Sequence, residues 1–316
     1  MSGMVGGAVV VGVDGSDPAL EAVRWAAVEA RERHASLRLV VAVPPPPEHL
    51  VLPPRGGERA HQALLNDARE SAEDAAAVAA AVAAAVAPGL EIDREVVSGS
   101  PAEVLAEESG TASLVVVGSR GRGGFTGLLL GSVGRRLAAS ARCPAVVVRG
   151  RTDRGDAIVV GVDGTPRDEA VVGFAFEEAA RRGGQVVAVR AWSEAKLDAA
   201  LENLMDWDAI AAEERALVAR ALEPWTEKYP GVEARAVLVR DNAAEALVER
   251  AAGAALIVVG SRGRGPARGL WRGSVGQALL HHAPCPVAVV HGGSTAAEPA
   301  RESSREPAAP AEEAGR

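Results

Sequence analysis

Residues 9–16 read VVVGVDGS, and residues 158–165 read IVVGVDGT. A second stretch, LVVVGSRG at 114–121, returns as LIVVGSRG at 256–263. Each stretch begins with a continuous apolar run, which is typical of a strand buried on both faces, and ends in glycine and polar turn residues. The doubled pattern predicts two copies of one α/β unit.

The distance between the copies indicates whole domains. A period of about 145 residues is too long for a solenoid repeat. We place the two domains at residues 1–150 and 151–293, and we expect residues 294–316, which lack an apolar period, to form a disordered tail. Strand and helix signals alternate in each unit, so we predict two doubly wound domains, each a parallel sheet with helices on both faces.

Composition excludes several classes of protein. The chain has 316 residues, of which 48% are hydrophobic but only 3% aromatic, so the core must be built from Val, Leu, Ile and Ala. The net charge of −8 argues against a protein held on nucleic acid by bulk charge. Two cysteines exclude a disulfide framework. With neither a membrane span nor a signal peptide in view, we expect a cytoplasmic protein.

A glycine-rich loop follows the fourth predicted strand of each unit. In the first unit the loop runs from Gly118 to Gly121, and Gly131-Ser132 then opens a predicted helix. Glycine tolerates positive φ, so consecutive N–H groups can turn into one concavity that binds phosphate oxygens. The N–H groups of the helix add a second anion site, where Ser132 caps the helix or donates to a phosphate. The second unit repeats the same spacing from Gly260 to Ser274.

The loop differs from other phosphate-binding motifs. A Walker A motif needs Gly-Lys-Ser/Thr, whereas the only lysines of the chain are Lys196 and Lys228. The Rossmann fingerprint places its glycines after the first strand rather than the fourth. Phosphate charge would therefore be balanced by backbone N–H groups, by a metal ion and by arginines. The alternative for the glycine-rich loop is a plain tight turn, and the alternative for its arginines is a solvated loop. The arginines in question are Arg120, Arg122, Arg262 and Arg264.

An aspartate follows the first strand of each unit, Asp14 in one and Asp163 in the other. Ligands of open α/β sheets bind beyond the carboxyl ends of the strands, so these carboxylates face the glycine-rich loops. A carboxylate would repel phosphate and suits the base or ribose end of a nucleotide. The alternative is a turn or helix-cap aspartate, and both roles can coexist.

Neither a catalytic nor a metal-binding pattern recurs in the two units. The six histidines share no position between the copies, and Ser-His-Asp, Cys-His and metal-ligand spacings are missing. We interpret His281-His282 as surface helix, and Cys143 and Cys285 as small core residues. Phosphoryl transfer needs a positioned nucleophile as well as a charge clamp, and only the clamp is visible. The sequence predicts binding with little or no turnover, while slow hydrolysis of a bound nucleotide stays open.

Three motifs resemble the universal stress protein family in its ATP-binding, tandem-domain form. They are Val-Asp-Gly-Ser/Thr after the first strand, Gly-x2-Gly-x9-Gly-Ser-Val after the fourth, and the last strand of Cys-Pro-Val type. The resemblance covers residues 7–292. It implies five parallel strands in the order 3-2-1-4-5 in each unit, ATP over the switch point, and pairing of residues 145–148 with residues 287–290.

By matching positions, the resemblance implies one nucleotide site in each unit. In the first unit, the adenosine end would lie on Gly12, Asp14 and Ala42. Ribose and phosphates would lie on Gly118, Ser119, Arg120, Gly121, Arg122, Gly123, Gly131, Ser132 and Val133. The second unit supplies Gly161, Asp163, Ala191, Gly260, Ser261, Arg262, Gly263, Arg264, Gly265, Gly273, Ser274 and Val275. Pro266 replaces Gly124 and removes one N–H donor, so we expect the second site to be less secure.

The sequence therefore predicts a nucleotide-responsive regulator of stress or dormancy that binds ATP together with Mg²⁺. Its expected partners are a second tandem chain in a homodimer and a regulated protein that the sequence does not identify, with neither nucleic acid nor membrane. One alternative is a nucleotide-independent protein-interaction module of the same fold. Another is a pyrophosphatase-type enzyme. Such enzymes usually carry a Ser-Gly-Gly-x-Asp-Ser loop, and residues 13–16 lack this motif. AMP and a cyclic nucleotide remain open as ligands.

Overall fold

The structure of the protein, a computed structural model, describes residues 7–45, 57–121, 131–152, 155–192, 205–240, 242–261 and 274–291. Strands and helices alternate within each unit of these ranges. The strands are β1 Val9–Gly12, β2 Leu37–Val43, β3 Ile92–Ser98, β4 Leu114–Gly118, β5 Ala145–Val148, β6 Ala157–Gly161, β7 Gln185–Ala191, β8 Ala234–Val239, β9 Leu256–Gly260 and β10 Val287–Val290. The helices are α1 Asp17–Glu32, α2 Gly57–Val86, α3 Pro101–Glu108, α4 Ser132–Ser140, α5 Asp168–Arg182, α6 Trp207–Lys228, α7 Ala243–Arg250 and α8 Ser274–His282. The predicted fold class, two tandem α/β units, is confirmed.

The ten strands of the described ranges form one sheet in the order β3-β2-β1-β4-β5-β10-β9-β6-β7-β8. Neighbouring strands within each half are parallel. The halves join where β5 pairs antiparallel with β10, so that Val146 lies opposite Ala288. The strand order reverses between β1 and β4 and again between β6 and β9, which creates a switch point in each half.

Valine and alanine build a core on each face of the sheet. Val9 and Val11 of β1 belong to the core on the side of α1, α2, α5 and α6, while Val10 belongs to the core on the side of α3, α4, α7 and α8. Because side chains alternate along a strand and helices cover both faces, all three valines of β1 are buried. This burial accounts for the continuous apolar runs of the sequence.

Candidate functional site

The turn after β1 holds Asp14 in place. The Oδ1 atom of Asp14 accepts hydrogen bonds from the Ser16 N–H at 3.0 Å and from the Ser16 hydroxyl at 2.6 Å. The Ser16 Oγ atom accepts the Ala19 N–H at 3.4 Å and so caps α1. The half-buried Asp14 therefore has the structural role of a turn residue.

The loop after β4 returns onto this turn. A Cβ atom added to Gly118 would lie 2.5 Å from the Pro18 carbonyl oxygen, so only glycine lets the end of β4 approach the first turn of α1 this closely. A Cβ atom on Gly121 would lie 2.4 Å from Oδ2 of Asp14. The switch point therefore brings the Asp14 carboxylate against the backbone of the glycine-rich loop.

The start of α4 lies at the base of the same loop. The Gly131 N–H donates to the Ser119 carbonyl at 3.0 Å, and the Ser119 N–H donates to the Val148 carbonyl at 3.0 Å. Gly131, rather than Ser132, is the N-cap residue, and no side chain caps the helix; Ser132 is its first residue and is exposed. Since glycine offers no side-chain acceptor, the first-turn N–H groups of α4 suit an anion.

Gly12, Ala42 and Val133 have packing roles near this edge of the sheet. A Cβ atom on Gly12 would lie 2.5 Å from Cδ1 of Leu105, so glycine allows α3 to pack on β1. Ala42 and Val133 are half-buried and pack against the core beneath α3 and α4. These positions shape the wall of the crevice rather than supplying polar groups.

Arg120 is an exposed cation of this loop. Burial, followed by the charge of Arg120, lowers the pKa of Arg149. Arg149 donates to the carbonyls of Leu279 at 3.0 Å and His281 at 2.8 Å, at the C-terminal end of α8. Arg149, a cation of the first unit that bonds the second unit, thus lies in the field of the first unit's loop.

The second unit repeats part of this geometry. The Thr165 N–H donates to Oδ1 of the half-buried Asp163 at 2.9 Å, and the Ser261 N–H donates to the Val290 carbonyl at 2.9 Å. Gly161 and Ala191 end β6 and β7, and Val275 packs against the core. Gly260 ends β9 and the backbone of Ser274 begins α8. The other expected residues lie outside the described ranges, namely Arg122, Gly123, Arg262, Gly263, Arg264, Gly265, Pro266 and Gly273.

Asp168 is a residue of this site that sequence reasoning missed. Its buried carboxylate accepts the N–H groups of Asp163 at 3.0 Å and Gly164 at 2.7 Å. Burial raises the pKa of Asp168, and the neighbouring charge of Asp163 raises it further. A signal existed, because the first unit carries Ala19 at the matching position.

In the described ranges, no three or more His, Cys, Asp or Glu side chains are grouped so that they could hold a metal ion. The helices of these ranges also lack the combination of length and apolar character that crossing a membrane requires.

Comparison with known proteins places these features in a family. The model of the universal stress protein family matches residues 7–149 and again residues 156–291. The chain belongs to the universal stress protein family. Curated family members include Universal stress protein Rv2623 of Mycobacterium tuberculosis, which is 36% identical over 292 residues, or 89% of this chain and 95% of the relative. Universal stress protein Rv2005c of the same organism is 36% identical over 297 residues, or 89% of this chain and 96% of the relative.

Solved universal stress protein structures share the fold. One from Archaeoglobus fulgidus DSM 4304 covers 90% of this chain and 98% of its own, with 17% identity and a TM-score of 0.57. A putative universal stress protein from Pseudomonas aeruginosa UCBPP-PA14 covers 90% of this chain and 91% of its own, with 17% identity and a TM-score of 0.53. The tandem universal stress architecture is therefore shared across most of the length of these chains.

Proposed function

We propose that this universal stress protein binds ATP at the switch point of its first unit and acts as a nucleotide-responsive regulator of stress or dormancy, with little or no turnover. The observation that carries the proposal is the approach of Gly121 to Asp14, where a Cβ atom would lie 2.4 Å from the carboxylate. One carboxylate and a glycine-rich backbone are thereby brought together beside an uncapped helix start.

The groups of the site fit the parts of a nucleotide. Ribose hydroxyls are donors that suit the Asp14 carboxylate, while phosphates suit the loop amides and the first turn of α4. Mg²⁺ commonly binds through substrate phosphates and one or two carboxylates, so the ion would arrive with ATP and need no dedicated protein cage. Bound Mg²⁺ would neutralise part of the phosphate charge.

The expected affinity follows from a few charged hydrogen bonds. Three or four bonds to phosphate contribute about 1.5–3 kcal/mol each. They must offset an association cost of about 4 kcal/mol or more. With base stacking, the remainder corresponds to a dissociation constant of roughly micromolar. Such an affinity suits a sensor of nucleotide rather than a fast enzyme.

A substitution at Gly131 tests the proposal. Gly131 has φ −69° and ψ 155°, which any residue can adopt. A Cβ atom added to it would lie 3.8 Å from its nearest heavy atom, Cα of Arg120, so Gly131→Asp fits without strain. Aspartate at an N-cap satisfies first-turn N–H groups and stabilises the helix. The same carboxylate occupies the anion site and repels phosphate. We expect Tm to stay constant or rise while ATP affinity falls by at least about tenfold.

The matched control adds the same charge elsewhere. Gly231 precedes β8, at the opposite end of the strands, and has no heavy atom within 4 Å of an added Cβ. Calorimetric titration of Gly131→Asp, Gly231→Asp and the unchanged chain with MgATP, AMP and cAMP also separates the possible ligands. If the unchanged chain binds none of them, the nucleotide proposal is wrong and the protein-interaction alternative takes its place.

We also propose that any homodimer of tandem chains uses a surface other than the last strands. β5 and β10 already pair with each other inside one chain, so this edge is closed to a second copy. Light scattering of the purified chain with and without MgATP determines the oligomeric state.

A further inference from the structure

The ten-stranded sheet of the described ranges ends in β3 on one side and in β8 on the other. The last strands of the two units already pair with each other, so the outer strands carry the backbone groups that this sheet leaves unpaired. An unpaired strand edge can pair with a strand of another molecule, and natural proteins protect such edges with charged side chains. The two edges can therefore be compared by the charges that they carry.

The β3 edge is protected by charge. It carries Asp93, Arg94 and Glu95 in succession. Arg38 of the neighbouring β2 forms ion pairs with Asp93 at 3.8 Å and with Glu95. A strand added to this edge would take charged groups partly out of water, which costs free energy. The β3 edge is thus unsuited to pairing with another chain.

The β8 edge lacks this protection. The strand reads ARAVLV, in which Arg235 is the one charged residue and residues 236–239 are uncharged. Ala236 is exposed, and the three residues after it are half-buried. Because the middle of the strand presents a methyl group instead of a charge, another strand can approach the β8 edge.

The hydrogen bonds between β7 and β8 show which backbone groups of β8 stay unpaired. The Val186 N–H donates to the Glu233 carbonyl at 2.8 Å, and the Trp192 N–H donates to the Val239 carbonyl at 3.2 Å. In a parallel pair, residues two apart bond the same neighbour, so residues 233, 235, 237 and 239 bond β7. The residues whose N–H and C=O groups point away from β7 are Ala234, Ala236 and Leu238.

We propose that two copies of this chain pair along β8, antiparallel to each other, about a two-fold axis at Ala236. In this register Ala236 faces the partner's Ala236, and Ala234 faces the partner's Leu238, so each facing pair exchanges two N–H···O bonds. Arg235 lies opposite the partner's Val237, so that like charges do not face each other directly.

This pairing is self-complementary, because the same three outward residues supply the donors and acceptors of both copies. A contact between identical surfaces about a two-fold axis closes after two copies, so it gives a dimer rather than a filament. The inference extends the proposal that a homodimer uses a surface other than β5 and β10, and it does not require nucleotide binding.

Cysteine cross-linking tests the register. The Cα atoms of a hydrogen-bonded antiparallel pair lie about 5.5 Å apart, a separation that a disulfide spans. We therefore expect Ala236→Cys to form a covalent dimer under mild oxidation, seen on a non-reducing gel. Ala234→Cys is the matched control: its two copies would lie four residues apart along the strands, about 14 Å, which a disulfide cannot bridge. Cys143 and Cys285 are buried and should not contribute.

Proline substitution tests the hydrogen bonds themselves. Ala236→Pro deletes an N–H that points away from β7, and an edge strand tolerates proline at such a position. Light scattering should give a mass of twice 32.3 kDa for the unchanged chain and of 32.3 kDa for this variant. Arg94→Pro is the control, since its N–H points away from the sheet at the β3 edge and its loss should leave the dimer intact.

The outcomes separate this pairing from the earlier proposals. A monomeric unchanged chain contradicts the homodimer altogether. A dimer that survives Ala236→Pro, that is lost with Arg94→Pro, or that cross-links equally through residues 234 and 236 overturns the pairing at β8, while nucleotide binding stands. Circular dichroism shows whether the proline variants fold, and the cysteine pair carries the test if they do not.

Discussion

Cys143 and Cys285 stand at matching positions, two residues before the last strand of each unit, and both are buried. Burial raises the pKa of the Cys143 thiol to about 11 and that of the Cys285 thiol to about 12. Only the thiolate reacts with alkylating agents. The pair therefore behaves as small core residues, which is how the sequence pattern was interpreted.

A labelling experiment follows from these pKa values. At pH 8 roughly one Cys143 thiol in a thousand is ionised, and fewer at Cys285. We expect iodoacetamide to leave the folded chain almost unmodified for hours and to modify both cysteines once urea unfolds it. Intact mass measured against time gives both rates. Modification of the folded chain at the rate of a free thiol would contradict the assignment.

The residues of the site differ in whether the neighbouring residues of the sequence are enough to predict them. Gly118 and Gly121 were predicted because glycine and strand signals lie next to each other in the sequence. Asp168 was missed because its carboxylate bonds residues across a turn, and an aspartate in the first turn of a helix is ordinary. The difference between Ala19 and Asp168 can be interpreted only when the hydrogen bonds of the Asp168 carboxylate are known.

Helices α1 and α5 carry a buried charge network that joins the two units. Arg33 bonds Glu29 at 2.6 Å and also Glu178 of the other unit. Arg182 in turn bonds Glu178 at 3.1 Å and Glu29 across the interface. Each guanidinium also lies over a ring of the opposite unit, Arg33 over Phe174 and Arg182 over Trp25, at 5.6 and 5.7 Å from the centroids.

The residues of the network occupy matching positions in the two units. Trp25, Glu29 and Arg33 of α1 recur in the chain 149 residues later as Phe174, Glu178 and Arg182 of α5. Burial alone would raise the pKa of Glu178, but the charges of three arginines outweigh it and hold the pKa below its ordinary value. Burial and the charge of Glu178 raise the pKa of Glu29.

Removing Glu178 should cost much more than removing an exposed glutamate. Glu178→Ala removes one of the two carboxylate partners of Arg182, whose side chain is 5% exposed, and leaves Glu29 alone to balance Arg33 and Arg182. We expect the free energy of unfolding to fall by about 3–5 kcal/mol. Glu21 pairs with Arg24 on the surface of α1, and Glu21→Ala should cost about 0–1 kcal/mol. Urea titration compares both, and equal losses would contradict a buried network.

The sequence predicted these helices but not their contact. The apolar period places α1 and α5 on the sheet, and Glu29 and Glu178 look like ordinary charges on amphipathic helices. The burial of Glu29 and Glu178 depends on how the second unit is oriented relative to the first. Short-range sequence patterns carry no information about this orientation. The one sequence feature that indicated the contact is that the two sets of three network residues are separated by the same 149 residues.

At the scale of the whole molecule, one chain builds an assembly that resembles a symmetric dimer. The antiparallel join of β5 and β10 relates the two units by an approximate two-fold axis, as an isologous interface relates identical subunits. The resemblance to the universal stress protein family implied this join between residues 145–148 and 287–290. Because both units lie in one chain, their faces are free to differ, and Asp168 in place of Ala19 is one such difference.

Because the sheet is continuous and the charges between α1 and α5 are buried, the units should unfold together. Separating them exposes unpaired strand edges and breaks the Arg33–Glu178 and Arg182–Glu29 ion pairs, so a half-folded chain is unfavourable. We expect one thermal transition in calorimetry. At one hundred times the dissociation constant, MgATP should stabilise the whole molecule by about 2.7 kcal/mol, even if only the first site is filled.

The Glu178→Ala chain serves as the comparison, since its contact between units is weakened while the cores on either side of the join keep their strands. In that variant the single transition should broaden or split, and MgATP should shift only the part that belongs to the first unit. Two separate transitions in the unchanged chain, with one unaffected by nucleotide, would show instead that the join at β5 and β10 transmits no stability from one unit to the other.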